Sequence, residues 1–229
     1  MAEGNENVME LRRWFRQTKA HNTMVLGKTA EHEETGAENI NKAAGTLLLS
    51  KDENEYQLIV TENQGYANFK HRRAIFYVKR PQEFFVFVDE GFGTATGYAK
   101  LYFHLCDEKS VDNVLLDKEV FGAHTTFNGD NNLLVRTFGE INKNLIFKEF
   151  DGRISYQTDR KYEQRKSYAV VMRKPDNSPV RYITVLYPVR SATGHTIEGQ
   201  FKEIGNKDNV SINIKIDGRS YDLNYNLNE

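Results

Sequence analysis

The feature that most constrains the fold of this chain is a period-two alternation of apolar and polar residues. It is clearest near the end of the sequence, where residues 210–216 (VSINIKI) alternate, Asp217-Gly218 follows, and residues 221–225 (YDLNY) alternate again. Alternation at this period places the apolar side chains on one face of a β-sheet, and Asp-Gly favours a tight hairpin turn. The sequence therefore predicts a β-hairpin with one buried face.

Similar apolar runs recur along the chain and are separated by glycine, asparagine and proline turns. They lie at residues 22–26, 45–50, 56–61, 67–79, 83–89, 96–105, 114–116, 120–127, 133–138, 145–150, 154–157, 168–172 and 182–187. We expect polar connections at 28–42 and 159–166, a turn at Asp151-Gly152, and no helix of useful length. Short strands at this spacing are typical of two antiparallel sheets packed face to face. The predicted fold is all-β, a two-layer antiparallel β-sandwich in one domain.

The stretch at residues 11–26 (LRRWFRQTKAHNTMVL) concentrates the residues that bear chemistry. The guanidinium groups of Arg13 and Arg16 suit a carboxylate or a sulfate, Trp14 offers an aromatic face, and His21 offers an imidazole. A site for an acidic sugar needs this combination. The alternative is that Trp14 anchors the core while the arginines beside it are solvated.

The composition limits which partners the chain can have. Its 31 lysines and arginines are balanced by 32 acidic residues, whereas a general nucleic-acid binder needs a basic excess to displace counterions. No apolar run is long enough to suggest a membrane span, and none near the start reads as a signal peptide. Cys106 is the single cysteine, so no disulfide framework is expected. We therefore expect neither a nucleic-acid nor a membrane partner.

Most familiar catalytic motifs are missing from the sequence. There is no Gly-x-Ser-x-Gly elbow, and Gly91-Phe92-Gly93 lacks the lysine and helix of a phosphate loop. No carboxylate pair stands out as a glycosidase site. Lone histidines on apolar strands are usually structural, which is the interpretation for His104, His124 and His195.

Two other histidines suggest a metal site. His21 and His71 are far apart in sequence, but they can share a zinc ion if their strands are neighbours. A carboxylate of the following loop, such as Glu38, would be the third ligand.

Residues 13–23 (RWFRQTKAHNT), followed by an apolar strand, resemble the start of the heparinase II/III-like domain. This domain is the β-sandwich half of polysaccharide lyases that act on heparin, heparan sulfate and alginate. His71-Arg72-Arg73 and residues 84–89 (FFVFVD) resemble later strands of the same domain. The resemblance covers essentially the whole chain and is nearest to the heparan sulfate lyase, or heparinase III, branch. It implies the same all-β sandwich, of a supersandwich-like kind.

The resemblance also implies an activity, the cleavage of a uronic-acid-containing glycosaminoglycan by β-elimination. In this family a tyrosine base and a carboxylate-neutralising asparagine or histidine lie in an N-terminal α/α toroid, and the sandwich adds a histidine across the cleft. His21 is the position that matches this catalytic histidine. Arg13, Trp14, Arg16 and Asn22 are the expected substrate-binding residues. The alternatives are a non-catalytic module that binds an acidic glycan, and a lyase for alginate or another uronate polymer.

The same resemblance yields expectations for domains, metal and location. We expect residues 1–8 to be polar and structureless. We expect residues 1–10 to be a polar leader or the remnant of a preceding domain, and residues 11–229 to be the sandwich. Without the toroid, we expect this chain to be a C-terminal fragment that is inactive alone and comes from a periplasmic or secreted enzyme. The reaction requires no cofactor. The alternative to a catalytic role for His21 is a structural zinc, or calcium, ion held by His21 and His71, with Glu38 where the family has an aspartate.

Overall fold

The computed structural model describes residues 3–30, 44–107, 110–140, 143–155, 162–191, 193–203 and 208–228. Its elements are the helix α1 (Glu3–Phe15) and the strands β1 (Met24–Gly27), β2 (Thr46–Asp52), β3 (Tyr56–Tyr66), β4 (Phe69–Val78), β5 (Phe84–Phe92), β6 (Gly97–His104), β7 (Val114–Asp117), β8 (Gly122–Thr125), β9 (Asn132–Gly139), β10 (Leu145–Ser155), β11 (Tyr162–Lys174), β12 (Val180–Val189), β13 (Ile197–Glu203), β14 (Asn209–Ile216) and β15 (Arg219–Asn226). Short 3₁₀ helices lie at Thr18–Ala20, Val111–Asn113 and Lys118–Val120.

The described strands form antiparallel sheets that stack on one another. The central sheet has eight strands in the order β2-β3-β4-β5-β12-β9-β8-β7. A four-stranded sheet, β1-β6-β11-β10, packs on one face, and a three-stranded sheet, β13-β14-β15, packs on the other. The predicted all-β sandwich is confirmed, and the three-stranded sheet adds a layer that the sequence did not predict.

Two hydrophobic cores hold these layers together. Phe76, Phe84 and Ile212 belong to the core between the central and three-stranded sheets. Leu101 and Tyr182 belong to the core between the central and four-stranded sheets. Tyr182 is fully buried, and its hydroxyl donates to the Ala99 carbonyl oxygen at 2.7 Å, which links the central sheet to β6. The central sheet is therefore covered on both faces along β12.

The last hairpin follows its sequence pattern. β14 pairs with β15 around Asp217-Gly218, and both turn residues have the positive φ angles (50° and 83°) that such a hairpin turn requires. Val210, Ile212 and Ile214 are buried, as the alternation predicts.

The helix α1 corrects our expectations that the chain has no helix of useful length and that residues 3–8 are structureless, whereas residues 1 and 2 lie outside the described residues. Residues 3–15 are helical, and Leu11 and Trp14, one turn apart, are buried. Arg12 and Arg13 lie in the last turn, where positive charge favours the helix dipole. Leu11 and Trp14 form only a short apolar stripe, so the helical period could not be recognised in the sequence.

The helix α1 crosses residue 10, and the predicted division of the chain into residues 1–10 and 11–229 stays a prediction. In the described part of the chain, no helix has the length and apolar character needed to cross a membrane.

Two further expectations fail at β10 and β11. Asp151-Gly152 is not a turn: β10 continues through it, and Asp151 pairs with Lys166. Residues 162–166 belong to β11 and not to a solvated connection, whereas 156–161 lie outside the described residues. Opposite charges that face each other across an antiparallel strand pair stabilise the pair. A polar, charged segment can therefore be a strand, and its composition alone does not indicate a loop. β13 was not predicted, and most of the expected loop at 28–42 lies outside the described residues.

Candidate active site

The segment that carries His21 connects α1 to β1. The amide of Gln17 donates to the carbonyl oxygen of Trp14 at 3.0 Å, and the amide of His21 donates to Thr18 at 3.1 Å after a single 3₁₀ turn. His21 is in extended conformation and exposed. β1 then begins at Met24, in register with Leu101 of β6. The segment at 19–23 therefore leads from a helix end to the edge of the four-stranded sheet.

The side chain of Asn22 continues the pairing of β1 with β6. Its Oδ1 accepts from the backbone amide of His104 at 2.7 Å, and its Nδ2 donates to the His104 carbonyl oxygen at 3.4 Å. One residue further, the Thr23 carbonyl oxygen accepts from Tyr102 at 3.0 Å. The amide of Asn22 thus takes the place of a peptide group in the ladder. Asn22 remains exposed, and its expected contact with substrate stays a prediction.

His104 packs beneath this segment as a neutral imidazole. Its Nε2 donates to the Lys19 carbonyl oxygen at 2.8 Å, so Nδ1 can accept from the Ser167 hydroxyl at 3.0 Å. The rings of Trp14 and Phe150 meet it edge-on at 6.3 and 5.4 Å. Burial lowers the pKa of His104 to about 4, against the hydrogen bond to Lys19 that raises it. These contacts agree with the predicted structural role.

On the opposite side, the central sheet provides a buried carboxylate that holds two basic side chains. Asp89, which is fully buried, accepts from His71 Nε2 at 2.6 Å and from Arg73 Nε at 2.7 Å. Burial by itself would raise the pKa of Asp89, but the charge of Arg73 and the bonds from His71 and Arg73 outweigh it, so the pKa lies below its usual value. Asp89 is therefore a fixed anion.

This carboxylate is connected to the segment of His21. Arg73 Nη1 donates to the Asn22 carbonyl oxygen at 2.8 Å. His71 Nδ1 lies 3.5 Å from the Thr23 hydroxyl, at the long end of hydrogen-bond distances. The backbone around Asn22 is therefore attached to the central sheet as well as to β6.

The predicted substrate-binding residues differ in their exposure. Arg13, Arg16 and Asn22 are exposed, as a ligand contact requires. Trp14 is only 8% exposed, packs edge-on against Phe15 at 5.0 Å and has the guanidinium of Arg153 over its ring at 5.5 Å. Its observed role is that of a core anchor, because little of the indole surface is accessible. A contact between Trp14 and substrate stays a prediction.

The predicted metal ligands are not assembled by the described residues. His71 lies between Asp89 and Thr23, His21 is exposed, and Glu38 lies outside the described residues. Within the described ranges, no group of three histidine, cysteine or carboxylate side chains could hold a metal ion. His71 and Asp89 are suitable ligand types for zinc, but two ligands do not make a structural site. The metal assignment stays a prediction, and no step below depends on it.

Sequence reasoning missed Arg73, Asp89 and Ser167 as parts of this site. For Arg73, the alternation of side chains along β4 could have been used. It points the side chains of Arg72 and Arg73 to opposite faces of the sheet. Arg72 indeed pairs with Glu62 at 3.3 Å and stacks over Phe92 at 4.6 Å, away from Asn22. The register of β4 with β5, which places Arg73 opposite Asp89, is not readable from either strand alone.

Comparison with known proteins identifies the family. Residues 2–204 match the family described as heparinase II/III-like, C-terminal. The chain belongs to this family. It is 42% identical over 226 residues to a heparin-sulfate lyase of Bacteroides thetaiotaomicron, covering 98% of this chain and 30% of that protein. A heparin-sulfate lyase of Bacteroides stercoris is 30% identical, with 98% and 31% covered.

Solved structures agree with the sequence comparison. A crystal structure of heparinase III superposes with a TM-score of 0.83 at 41% identity, covering 95% of this chain and 31% of that one. A heparan sulfate lyase HepC from Pedobacter heparinus, at 22% identity and a TM-score of 0.79 over 96% of this chain and 32% of its own, shares the fold. The resemblance found in residues 13–23 is confirmed. The heparinase II/III-like chain described here spans about a third of the length of these relatives.

Proposed function

We propose that this chain is the C-terminal β-sandwich of a lyase that cleaves uronic-acid-containing glycosaminoglycan, of the heparan sulfate type, by β-elimination. The observation that carries this proposal is the exposed His21 on a segment attached to both neighbouring sheets. The similarity to two heparin-sulfate lyases extends over 98% of the chain and therefore includes that segment.

The proposed reaction is an elimination across the ring of the uronic acid. Neutralising the carboxylate acidifies the proton on the adjacent carbon, and a base removes this proton. The electron pair forms a double bond to the next ring carbon, the glycosidic C–O bond breaks, and the leaving oxygen takes up a proton. No oxidant, reductant or water is consumed.

His21 and its exposed neighbours have separate roles in this scheme. The imidazole of His21 neutralises the carboxylate or transfers a proton, and its exposure to solvent lets a substrate reach it. Arg13 and Arg16 bind carboxylate or sulfate groups through their guanidinium forks. The base would come from an N-terminal α/α toroid of the same enzyme, so this chain alone is expected to be inactive. Export to the periplasm or beyond, where a polysaccharide substrate is accessible, is part of the same proposal.

The test of this function is the variant His21→Ala in the full-length enzyme. The rate is followed by the ultraviolet absorbance of the new double bond in the product. We expect a loss of roughly 100-fold or more in kcat, because positioned acid–base groups contribute about 10²–10⁴-fold. Product formation at the unchanged rate would show that His21 has no catalytic role.

A second candidate function is binding of an acidic glycan without chemistry, and the exposure of Arg13 and Arg16 favours it. It predicts that this chain alone is retained on immobilised heparin and released as salt is raised, because ionic contacts are screened. The double variant Arg13→Ala/Arg16→Ala should elute at lower salt than the wild-type chain. Passage of the wild-type chain without retention would rule this function out and would suit a cleft that needs the second domain.

A further inference from the structure

Arg73 makes contact with two groups that belong to different parts of the fold. Its Nε and Nη2 atoms donate to Oδ1 and Oδ2 of Asp89 at 2.7 and 3.2 Å, a side-by-side pairing of guanidinium and carboxylate. Its third nitrogen, Nη1, donates to the carbonyl oxygen of Asn22 at 2.8 Å. A single planar group thus connects the central sheet to the peptide group between Asn22 and Thr23.

The orientation of this guanidinium is fixed from several directions. Arg73 and Asp89 are register partners on β4 and β5, so the two side chains leave the sheet at the same place. Asp89 is also bonded by His71, and the guanidinium of Arg73 lies 5.0 Å from the ring centroid of Phe87. Because each neighbour is itself part of the central sheet, the nitrogen that faces Asn22 has little freedom to move.

Asn22 is attached from the other side as well. Its side-chain amide forms two hydrogen bonds with the backbone of His104 on β6, while its carbonyl oxygen is bonded to Arg73 on β4. The residue next to His21 is therefore held between two sheets, one through its side chain and one through its backbone. An exposed histidine gains a defined backbone position from these contacts.

We propose that Arg73 is a positioning residue that acts through His21, by anchoring the Asn22 carbonyl to the buried carboxylate of Asp89. This inference rests on the proposed catalytic role of His21. It assigns a function to the hydrogen bond from Arg73 to the Asn22 carbonyl oxygen, which the pairing with Asp89 does not need.

The variant Arg73→Lys separates positioning from stability. A lysine keeps the positive charge beside Asp89, but its single nitrogen cannot reproduce the planar three-donor geometry that serves both Asp89 and Asn22. In the full-length enzyme we expect kcat for β-elimination to fall roughly 10- to 100-fold with little change in KM, since small misplacements of a catalytic group have effects of this size. The matched control is Arg72→Lys, the adjacent arginine on the opposite face of β4, which is expected to retain the wild-type kcat.

The route through His21 is tested by a double-mutant cycle. If Arg73 acts through His21, the loss caused by Arg73→Lys should disappear when it is introduced into the His21→Ala background. Hydrogen–deuterium exchange of the peptide containing residues 18–23 supplies a structural measurement on the same proteins. Exchange should be faster in Arg73→Lys than in the wild type and unchanged in Arg72→Lys.

Each result has a defined meaning. Unchanged exchange in Arg73→Lys, or a wild-type kcat in this variant, would overturn the proposal. An equal loss of kcat in both backgrounds would show that Arg73 acts by another route and would also overturn it. If exchange becomes faster while His21→Ala itself keeps the full rate, the anchoring is real but the proposed role of His21 is wrong, and the catalytic inference fails with it.

Discussion

The side-chain amide of Asn22 forms two hydrogen bonds with the backbone of His104, which lies 82 residues further along the chain. An asparagine side chain carries a donor and an acceptor in the same arrangement as a peptide group, so it extends the β1–β6 ladder where the backbone of β1 has not yet begun. This places the exposed His21 beside the end of a sheet and not on an unsupported loop.

The first prediction concerns this pairing. Asn22→Ala should lower the free energy of unfolding by about 1 kcal/mol, because two partly solvated hydrogen bonds are lost. Asn22→Asp is the matched comparison, since it keeps the acceptor for the His104 amide but cannot donate to the His104 carbonyl oxygen. It should fall between the wild type and Asn22→Ala in urea denaturation. Equal stability of all three proteins would show that the pairing contributes nothing.

The second prediction concerns pH. Burial lowers the pKa of His104 to about 4 in the folded chain, whereas the ordinary value of about 6.5 applies when it is unfolded. Between these values the unfolded state binds more protons, so stability is lost as pH falls from about 6.5 to 4 and the loss is complete below the folded pKa. The shift corresponds to about 3 kcal/mol.

The variant His104→Gln isolates this effect. A glutamine can donate to the Lys19 carbonyl oxygen but does not titrate, so its stability should depend less on pH than that of the wild type between 6.5 and 4. Urea denaturation at several pH values measures the difference. The lowered pKa of Asp89 affects a more acidic range, in which protonation of this carboxyl would remove its stabilising charge, and it is common to both proteins.

The third prediction uses the close approach of β10 to the site. A Cβ atom added at Gly152 would lie 2.1 Å from Ser167 Oγ and 3.0 Å from His104 Nδ1. Gly152→Ala should therefore separate these two hydrogen-bonded groups and lower stability by about 1–3 kcal/mol, a usual cost of overpacking. Gly129→Ala is the control, because a Cβ there meets nothing within 4 Å. Thermal unfolding compares the two variants, and equal melting temperatures would contradict the packing described for His104.

Much of the fold could be predicted because alternation reports directly on burial. The pattern in residues 210–225 indicated which side chains are buried, and the structure confirms this hairpin. Alternation does not indicate what covers a buried face, however, so the packing of β13-β14-β15 against the second face of the central sheet was not predicted. The helix α1 was missed for a related reason, since its buried surface in the described side chains depends on Leu11 and Trp14 alone.

The candidate site was only partly predictable for a different reason. His21 and its neighbours are contiguous in sequence and could be recognised together. The groups that hold them, His104 and Arg73, are brought to Asn22 by strand order, because β1 lies beside β6 and β4 lies in the adjacent sheet. Strand order depends on contacts between distant segments, which no single stretch of sequence contains.

The last prediction separates the two interpretations of Trp14. Its side chain is buried against Phe15 and His104, so Trp14→Ala should lower the free energy of unfolding by about 3–5 kcal/mol through the cavity that it leaves. The exposed Arg13 is the matched comparison: Arg13→Ala should cost less than about 1 kcal/mol, because its side chain lies in solvent and only its charge interaction with the dipole of α1 is lost. Both stabilities are measured by urea denaturation of this chain.

Trp14→Leu, which keeps most of the apolar contact, should be the milder change at this position. If Trp14→Leu is as stable as the wild type but raises KM in the full-length enzyme, the indole binds substrate as the sequence first suggested.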